Sequence, residues 1–280
     1  MKLLNSIKEI VPNYKLLILD IFGVIHDGVE TYPQVIEMID YLGAQDKRIV
    51  FLSNAPRRSE RAIETLESFG INENMYDFIL TSGEHAFYHF EVLDKLKYFY
   101  IGPEKDRGLL NGTPHEEVAN ANDADIAIAT GLTPEQVVDD VMPQIEAIKN
   151  AGLTLHCINP DLYVHKKNGR SHICAGAIAD TYKEMGGKVE YYGKPYQGVY
   201  DEIMDEFEFS KNEILCVGDG LDTDIKGATN AGFDSVLVTS GMHRKQLDLE
   251  IGNTPDVKKV EALCKQYGSS PTYILSLFGN

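Results

Sequence analysis

The chain has 280 residues, 43% of them hydrophobic, with 43 acidic against 26 basic side chains and a formal charge of −17. That length and apolar content suit one large domain or two modest ones with a true core. The charge argues against broad binding to nucleic acid or an anionic membrane, which both need an extended basic surface, so any phosphate must be met by local cations.

In chain order, an apolar run from Leu16 to Leu19 stops at Asp20 and a turn at Gly23 follows. This grammar places Asp20 at the carboxyl end of a buried strand, the edge where open α/β sheets hold ligands. A helix follows with Val35, Ile36, Ile39 and Leu42 on one face. A strand over 49–52 then ends at Ser53 and Asn54. Ser59 is placed to cap a helix carrying Ala62, Ile63, Leu66 and Phe69, which Gly70 ends. Such βαβα alternation predicts an α/β fold with a parallel sheet.

Residues 84–191 carry a pattern of their own, with strands over 98–101, 126–129 and 153–158 and a long helix over 135–150. A segment of this length is of independent-domain size. After Gly193 the first pattern resumes. Pro195 is placed to begin a helix bearing Val199, Ile203 and Phe207, before strands over 214–217 and 235–239. The expected division is a core of 1–83 with 192–280 and an inserted domain of 84–191. Cys157, Cys174, Cys216 and Cys264 have no metal-site spacing and read as small core residues. The N-terminus lacks a signal-length apolar stretch, so a reducing cytoplasm is the expected compartment.

Two strand-end acidic sets carry the chemistry. A carboxylate such as Asp20 can attack phosphorus and divide a hard hydrolysis into two easier displacements. The cluster Gly218-Asp219-Gly220-Leu221-Asp222-Thr223-Asp224 follows another apolar run. Asp219 and Asp224 suit Mg²⁺, which prefers carboxylate and water oxygens, whereas Asp222 is expected to face solvent. A calcium loop is disfavoured because Asp224 stands where the sixth-position glycine is required. Ser53 and Asn54 offer a hydroxyl and an amide for phosphoryl oxygens, Lys194 offers a point charge beside a helix start, and Arg57 follows closely on Ser53. The basic run His165, Lys166, Lys167 and Arg170 is a weaker candidate for an anionic substrate, since a solvated loop is the better explanation of it.

Taken in order, Asp20, Ser53, Lys194 and the Gly218-Asp219 to Asp224 cluster resemble the four motifs of the haloacid dehalogenase superfamily. The phrases Asp20-x-Phe22-Gly23-Val24, Ser53-Asn54, Asn159-Pro160-Asp161, Gly193-Lys194-Pro195 and Gly218-Asp219-x-Leu221-Asp222-Thr223-Asp224-Ile225 are similar to its NagD-like subfamily, class IIA. This resemblance implies a Rossmann-like core with helices on both faces, an inserted α/β cap domain, and Mg²⁺-dependent hydrolysis of small phosphorylated metabolites. It implies that Asp20 is nucleophile and metal ligand together with Asp219, Asp224 and the backbone carbonyl of Phe22. Ser53 would bind the phosphoryl group and Lys194 would neutralise charge. The resemblance leaves room for a homodimer and implies no nucleic-acid or membrane partner.

The sequence departs from that pattern at Phe22, where the family's phosphatases usually carry an Asp that protonates the leaving oxygen. General acid–base help is typically worth about 10² to 10⁴ in rate, so the expectation is a slow enzyme or one with an undemanding leaving group. His26 and Asp27 are the nearest substitutes in sequence. Two other readings compete: a non-catalytic protein that binds phosphometabolites, and a metal-free dehalogenase, which a cluster of like charges facing Asp20 disfavours.

Overall fold

The computed structural model describes residues 1–165 and 171–280, so Lys166, Lys167 and Arg170 lie outside the described residues. The chain divides into two compact units: Met1–Ser53 with Glu60–Leu80 and Lys194–Asn280, and Asn54–Ser59 with Thr81–Gly193.

The first unit is built on a seven-stranded sheet. Its strand order is Lys2–Leu3, Tyr273–Leu275, Asp234–Val238, Ile214–Gly218, Leu16–Leu19, Arg48–Ser53 and Phe78–Thr81. Leu16–Leu19 pairs in parallel with Ile214–Gly218 on one side and Arg48–Ser53 on the other. The central strands are apolar along their length because both faces are covered. Alternate residues point to opposite faces. Leu17, Leu19, Val236 and Val238 pack with Val35, Met38, Ile39 and Leu42 of helix Val35–Ala44, while Leu237 and Ile274 pack with Val260 and Leu263 of helix Val257–Tyr267. Each fully buried Leu, Ile or Val contributes about 1.5–3 kcal/mol from apolar burial before the entropy cost of ordering it.

The second unit has a five-stranded sheet ordered Lys188–Tyr191, Thr154–Cys157, Ile126–Ala129, Lys97–Ile101 and Glu116–Glu117, in which the successive pairs are parallel. A separate antiparallel pair joins Tyr163–His165 to Ser171–Ile173. Ile145 and Ile148 of helix Met142–Asn150 and Ile178 and Tyr182 of helix Ala175–Glu184 fill one core with Leu155 and Cys157.

Two helices differ from the sequence expectation. The helix expected over 135–150 begins only at Met142, after a 3₁₀ turn at Val138–Val141. Pro143 lacks the N–H a helix interior needs and therefore sits in the first turn. The helix expected from Pro195 spans Gly198–Glu206, because Gln197 supplies the first carbonyl to accept helical bonds, from the Tyr200 and Asp201 N–H groups. All four cysteines are buried and unbridged. No helix among the described residues is long and apolar enough to cross a membrane.

Candidate active site

The register of the first sheet assembles the site. Leu19 lies opposite Val217 and Phe51, so three parallel strands reach the same edge together. The Asp20 N–H donates to the Val217 carbonyl at 2.9 Å, which fixes Asp20 beside the strand that delivers Asp219. Ser53 ends the neighbouring strand Arg48–Ser53.

Asp20, Asp219 and Asp224 are all buried, and each has one carboxylate oxygen within 4.8 Å of the others'. Lys194, 4% exposed, reaches the same place. Its Nζ donates to Asp20 Oδ1 at 2.5 Å, to Asp224 Oδ1 at 2.7 Å and to the Leu52 carbonyl at 3.1 Å. Burial by itself disfavours the ammonium charge, but the two carboxylates outweigh it and hold the Lys194 pKa above its ordinary value. Asp219 shows the opposite balance: burial first, then Asp20 and Asp224, push its carboxyl well above the usual range, against the weaker pull of the Met242 N–H and Lys194.

Three buried carboxyl groups face a single ammonium, and the acid excess is what pushes the Asp219 carboxyl up when no cation is bound. A divalent cation matches that excess and explains why so costly a cluster is built. The surroundings fit the same ion. A Cβ at Gly23, which sits at φ +94°, or at Gly241 would overlap Asp219 Oδ2, and one at Gly218 would overlap the Asp224 side chain. At Gly23, Gly218 and Gly241 the backbone thus closes on these two acids more tightly than a Cβ would allow. Asp222 is exposed, as the sequence suggested.

Asp219 Oδ2 accepts from the Met242 N–H at 2.6 Å, and Asp224 Oδ2 accepts from the Gly220 N–H at 3.0 Å. Asp224 sits in the π-helical turn Leu221–Ile225, which follows Gly220 and in which the Ile225 N–H bonds to the Gly220 carbonyl. Insertions of this wide turn recur at functional sites. Gly241, Met242 and His243 were not singled out from sequence.

Both nearby substitutes for a general acid are held in local structural roles. His26 Nδ1 accepts the Gly28 N–H at 3.0 Å, and its ring packs against Phe22 and Phe69. Burial lowers its pKa to about 4, so it is neutral at physiological pH. Asp27 Oδ1 accepts from the N–H groups of Val29 and Glu30, which is a turn-forming role. The Phe22 ring itself lies toward Gly28, where a Cβ would stand 3.2 Å from it.

Asn54 and Arg57 belong to the second unit, apart from Ser53 in the first. Asn54 Nδ2 donates to Asp161 Oδ1 at 2.8 Å, and Asp161 closes a turn by donating its N–H to Asn159 Oδ1. Arg57 pairs with the buried carboxylate of Asp106. Arg58 and the Ser59 N–H are both held by buried Glu84, with the Arg58 guanidinium 3.4 Å from the Phe87 ring centroid.

Comparison with known proteins agrees with this architecture. A family model described as haloacid dehalogenase-like hydrolase matches residues 17–113, and a second, HAD-hydrolase-like, matches 191–263. An acid sugar phosphatase of Staphylococcus haemolyticus is 23% identical over 235 residues, covering 83% of this chain and 88% of that protein. The crystal structure of a haloacid dehalogenase-like hydrolase from Brucella suis superposes with a TM-score of 0.83 at 25% identity, covering 98% of this chain and 99% of the other. A 4-nitrophenylphosphatase structure from Thermotoga maritima gives 0.76 at 23% identity, covering 96% and 97%.

Proposed function

Because this chain belongs to the haloacid dehalogenase-like hydrolases, in their NagD-like class, we propose that it hydrolyses small phosphate monoesters through an aspartyl-phosphate on Asp20. The observation that carries this reading is the buried convergence of Asp20, Asp219 and Asp224 on Lys194 at the end of the parallel strands. The relatives' names, acid sugar phosphatase and 4-nitrophenylphosphatase, support the reaction class.

Asp20, Asp219, Asp224 and the Phe22 carbonyl would hold Mg²⁺. When bound, the ion would supply positive charge for the phosphoryl oxygens and lower the Asp219 pKa. The chain's own residues do the rest. A carboxylate oxygen of Asp20 forms a bond to phosphorus while the bond from phosphorus to the leaving oxygen breaks, the electron pair departing with that oxygen. Lys194, fixed by three acceptors, orients Asp20 and offsets charge. Ser53 is assigned to the phosphoryl oxygens. Water then attacks phosphorus and restores the Asp20 carboxylate; one water proton ends on the leaving oxygen and the other stays with phosphate. Asn54 and Arg57 are assigned to substrate contact, which for Arg57 means exchanging Asp106 for the substrate's anion.

With His26 and Asp27 held in local turn contacts and a phenyl ring at Phe22, the reading assigns no proton donor in the turn after Asp20. The reading therefore favours substrates whose leaving group is stable as an anion or carries its own acid. Phosphate release measured with Mg²⁺ over aryl, acyl and alkyl phosphates tests it. A steep fall from aryl to alkyl esters, with all release lost in Asp20→Asn, is expected. Equal rates across the series, or full release by Asp20→Asn, would overturn it. We infer further that the inserted domain of residues 84–191 acts as the cap and that the protein works in the cytoplasm.

A further inference from the structure

We propose that His243 is a positioning residue for the ion-holding loop, acting through the backbone of Leu221; this rests on the divalent-ion reading above. His243 is completely buried and lies 22 residues from Leu221 in sequence, yet its Nε2 accepts the Leu221 N–H at 3.1 Å. Its Nδ1 lies 2.6 Å from Gln246 Oε1, which can only accept. Nδ1 therefore carries the proton and Nε2 the lone pair, so the two partners together set a neutral tautomer. Gln246 is oriented in turn by its Nε2, which donates to the Tyr267 hydroxyl at 3.3 Å, and the Tyr267 ring packs edge-on against the imidazole at 4.9 Å between centroids.

The location gives this chain of bonds its use. Leu221, two residues after Asp219, begins the π-helical turn that carries Asp224. N–H groups at the start of a helical turn lack partners within it, and here the missing acceptor is the imidazole. The adjacent Met242 N–H holds Asp219 Oδ2 at 2.6 Å. Two consecutive residues thus peg the loop at two points, one on an acid and one on the backbone between the acids. In metal sites such outer contacts tune affinity, and their loss typically weakens binding about 10- to 100-fold.

Two variants separate positioning from general support. His243→Phe keeps a planar ring against Tyr267 but removes the acceptor; His243→Gln restores an acceptor at the reach of Nε2. Two quantities are read on the folded protein well below its melting temperature: amide exchange at Leu221 without metal, and Mn²⁺ affinity by electron paramagnetic resonance. The expected result is faster Leu221 exchange and roughly 10- to 100-fold weaker Mn²⁺ binding in His243→Phe, with both substantially recovered in His243→Gln. Lost Leu221 protection with unchanged Mn²⁺ affinity would overturn the positioning role while leaving the ion site intact. Absence of saturable Mn²⁺ binding by the wild-type protein would instead overturn the ion reading, and this role with it. If His243→Phe is too unstable to assay, a His243→Gln protein that folds but binds Mn²⁺ no more tightly than Asp219→Asn counts against the proposal.

Discussion

Lys194 Nζ lies 2.7 Å from Asp224 Oδ1 while the other oxygen of Asp224 accepts the Gly220 N–H at 3.0 Å. One carboxylate thus ties the lysine to the loop that carries Asp219. Removing one member of a buried ion pair leaves the other's charge uncompensated and typically costs about 3–5 kcal/mol. Lys194→Met should therefore lower stability by an amount of that order without metal, and added Mg²⁺ should restore more of it than in the wild type. Urea unfolding with and without Mg²⁺ checks this; a loss below about 1 kcal/mol would show that the lysine charge is not needed to hold the acids together.

Phe22 stands where a proton donor is missing, and its ring lies toward Gly28. Phe22→Asp should raise phosphate release from an alkyl phosphate by about 10² to 10⁴ while changing an aryl phosphate far less. The comparison of the two substrates is the check, since a uniform change would reflect binding rather than proton transfer.

Crowding around Asp219 makes Gly241 a sensitive position, because a Cβ there would overlap Asp219 Oδ2. Gly241→Ala should weaken Mg²⁺ affinity about tenfold or more through displacement of that carboxylate. Isothermal titration calorimetry measures it, and an unchanged affinity would mean that the loop yields without moving Asp219.

His156 gives the second unit a pH dependence. It is 8% exposed, its Nδ1 lies 2.9 Å from the Tyr192 hydroxyl, and burial, with a smaller contribution from His89, lowers its pKa to about 4; Glu190 opposes this and Lys188 adds to it. In an unfolded chain a histidine titrates near pH 6.5. Between about pH 6.5 and pH 4 the unfolded chain holds more protons, so the contribution of neutral His156 is fully present above 6.5 and is lost as pH falls toward 4. The loss is at most about 3 kcal/mol. Stability profiles of wild type and His156→Phe should run parallel above pH 7, and below it the wild type should lose stability relative to the variant; parallel profiles down to pH 4 would contradict this.

The sequence made the acids legible because strands buried on both faces are unbroken apolar runs, and Asp20 and Asp219 interrupt them conspicuously. Lys194 was less legible: a point charge beside a helix start is also an ordinary surface pattern, and the ordered resemblance raised it above one. The surroundings of Asn54 and Arg57 could not be read, since their partners Asp161 and Asp106 lie 107 and 49 residues away. His243 escaped for the same reason, as its function depends on a backbone N–H met only after folding. The start of helix Met142–Asn150 was legible in principle, because Pro143 excludes a longer continuous helix.

The most direct test of the account is to look for phosphate on Asp20 itself. Protein quenched in acid during turnover of an aryl phosphate should carry a phosphoryl group on the peptide containing Asp20 when Mg²⁺ is present, and lose it with a chelator or in Asp20→Asn. Sustained phosphate release by Asp20→Asn, with no adduct at that position in the wild type, would contradict the mechanism.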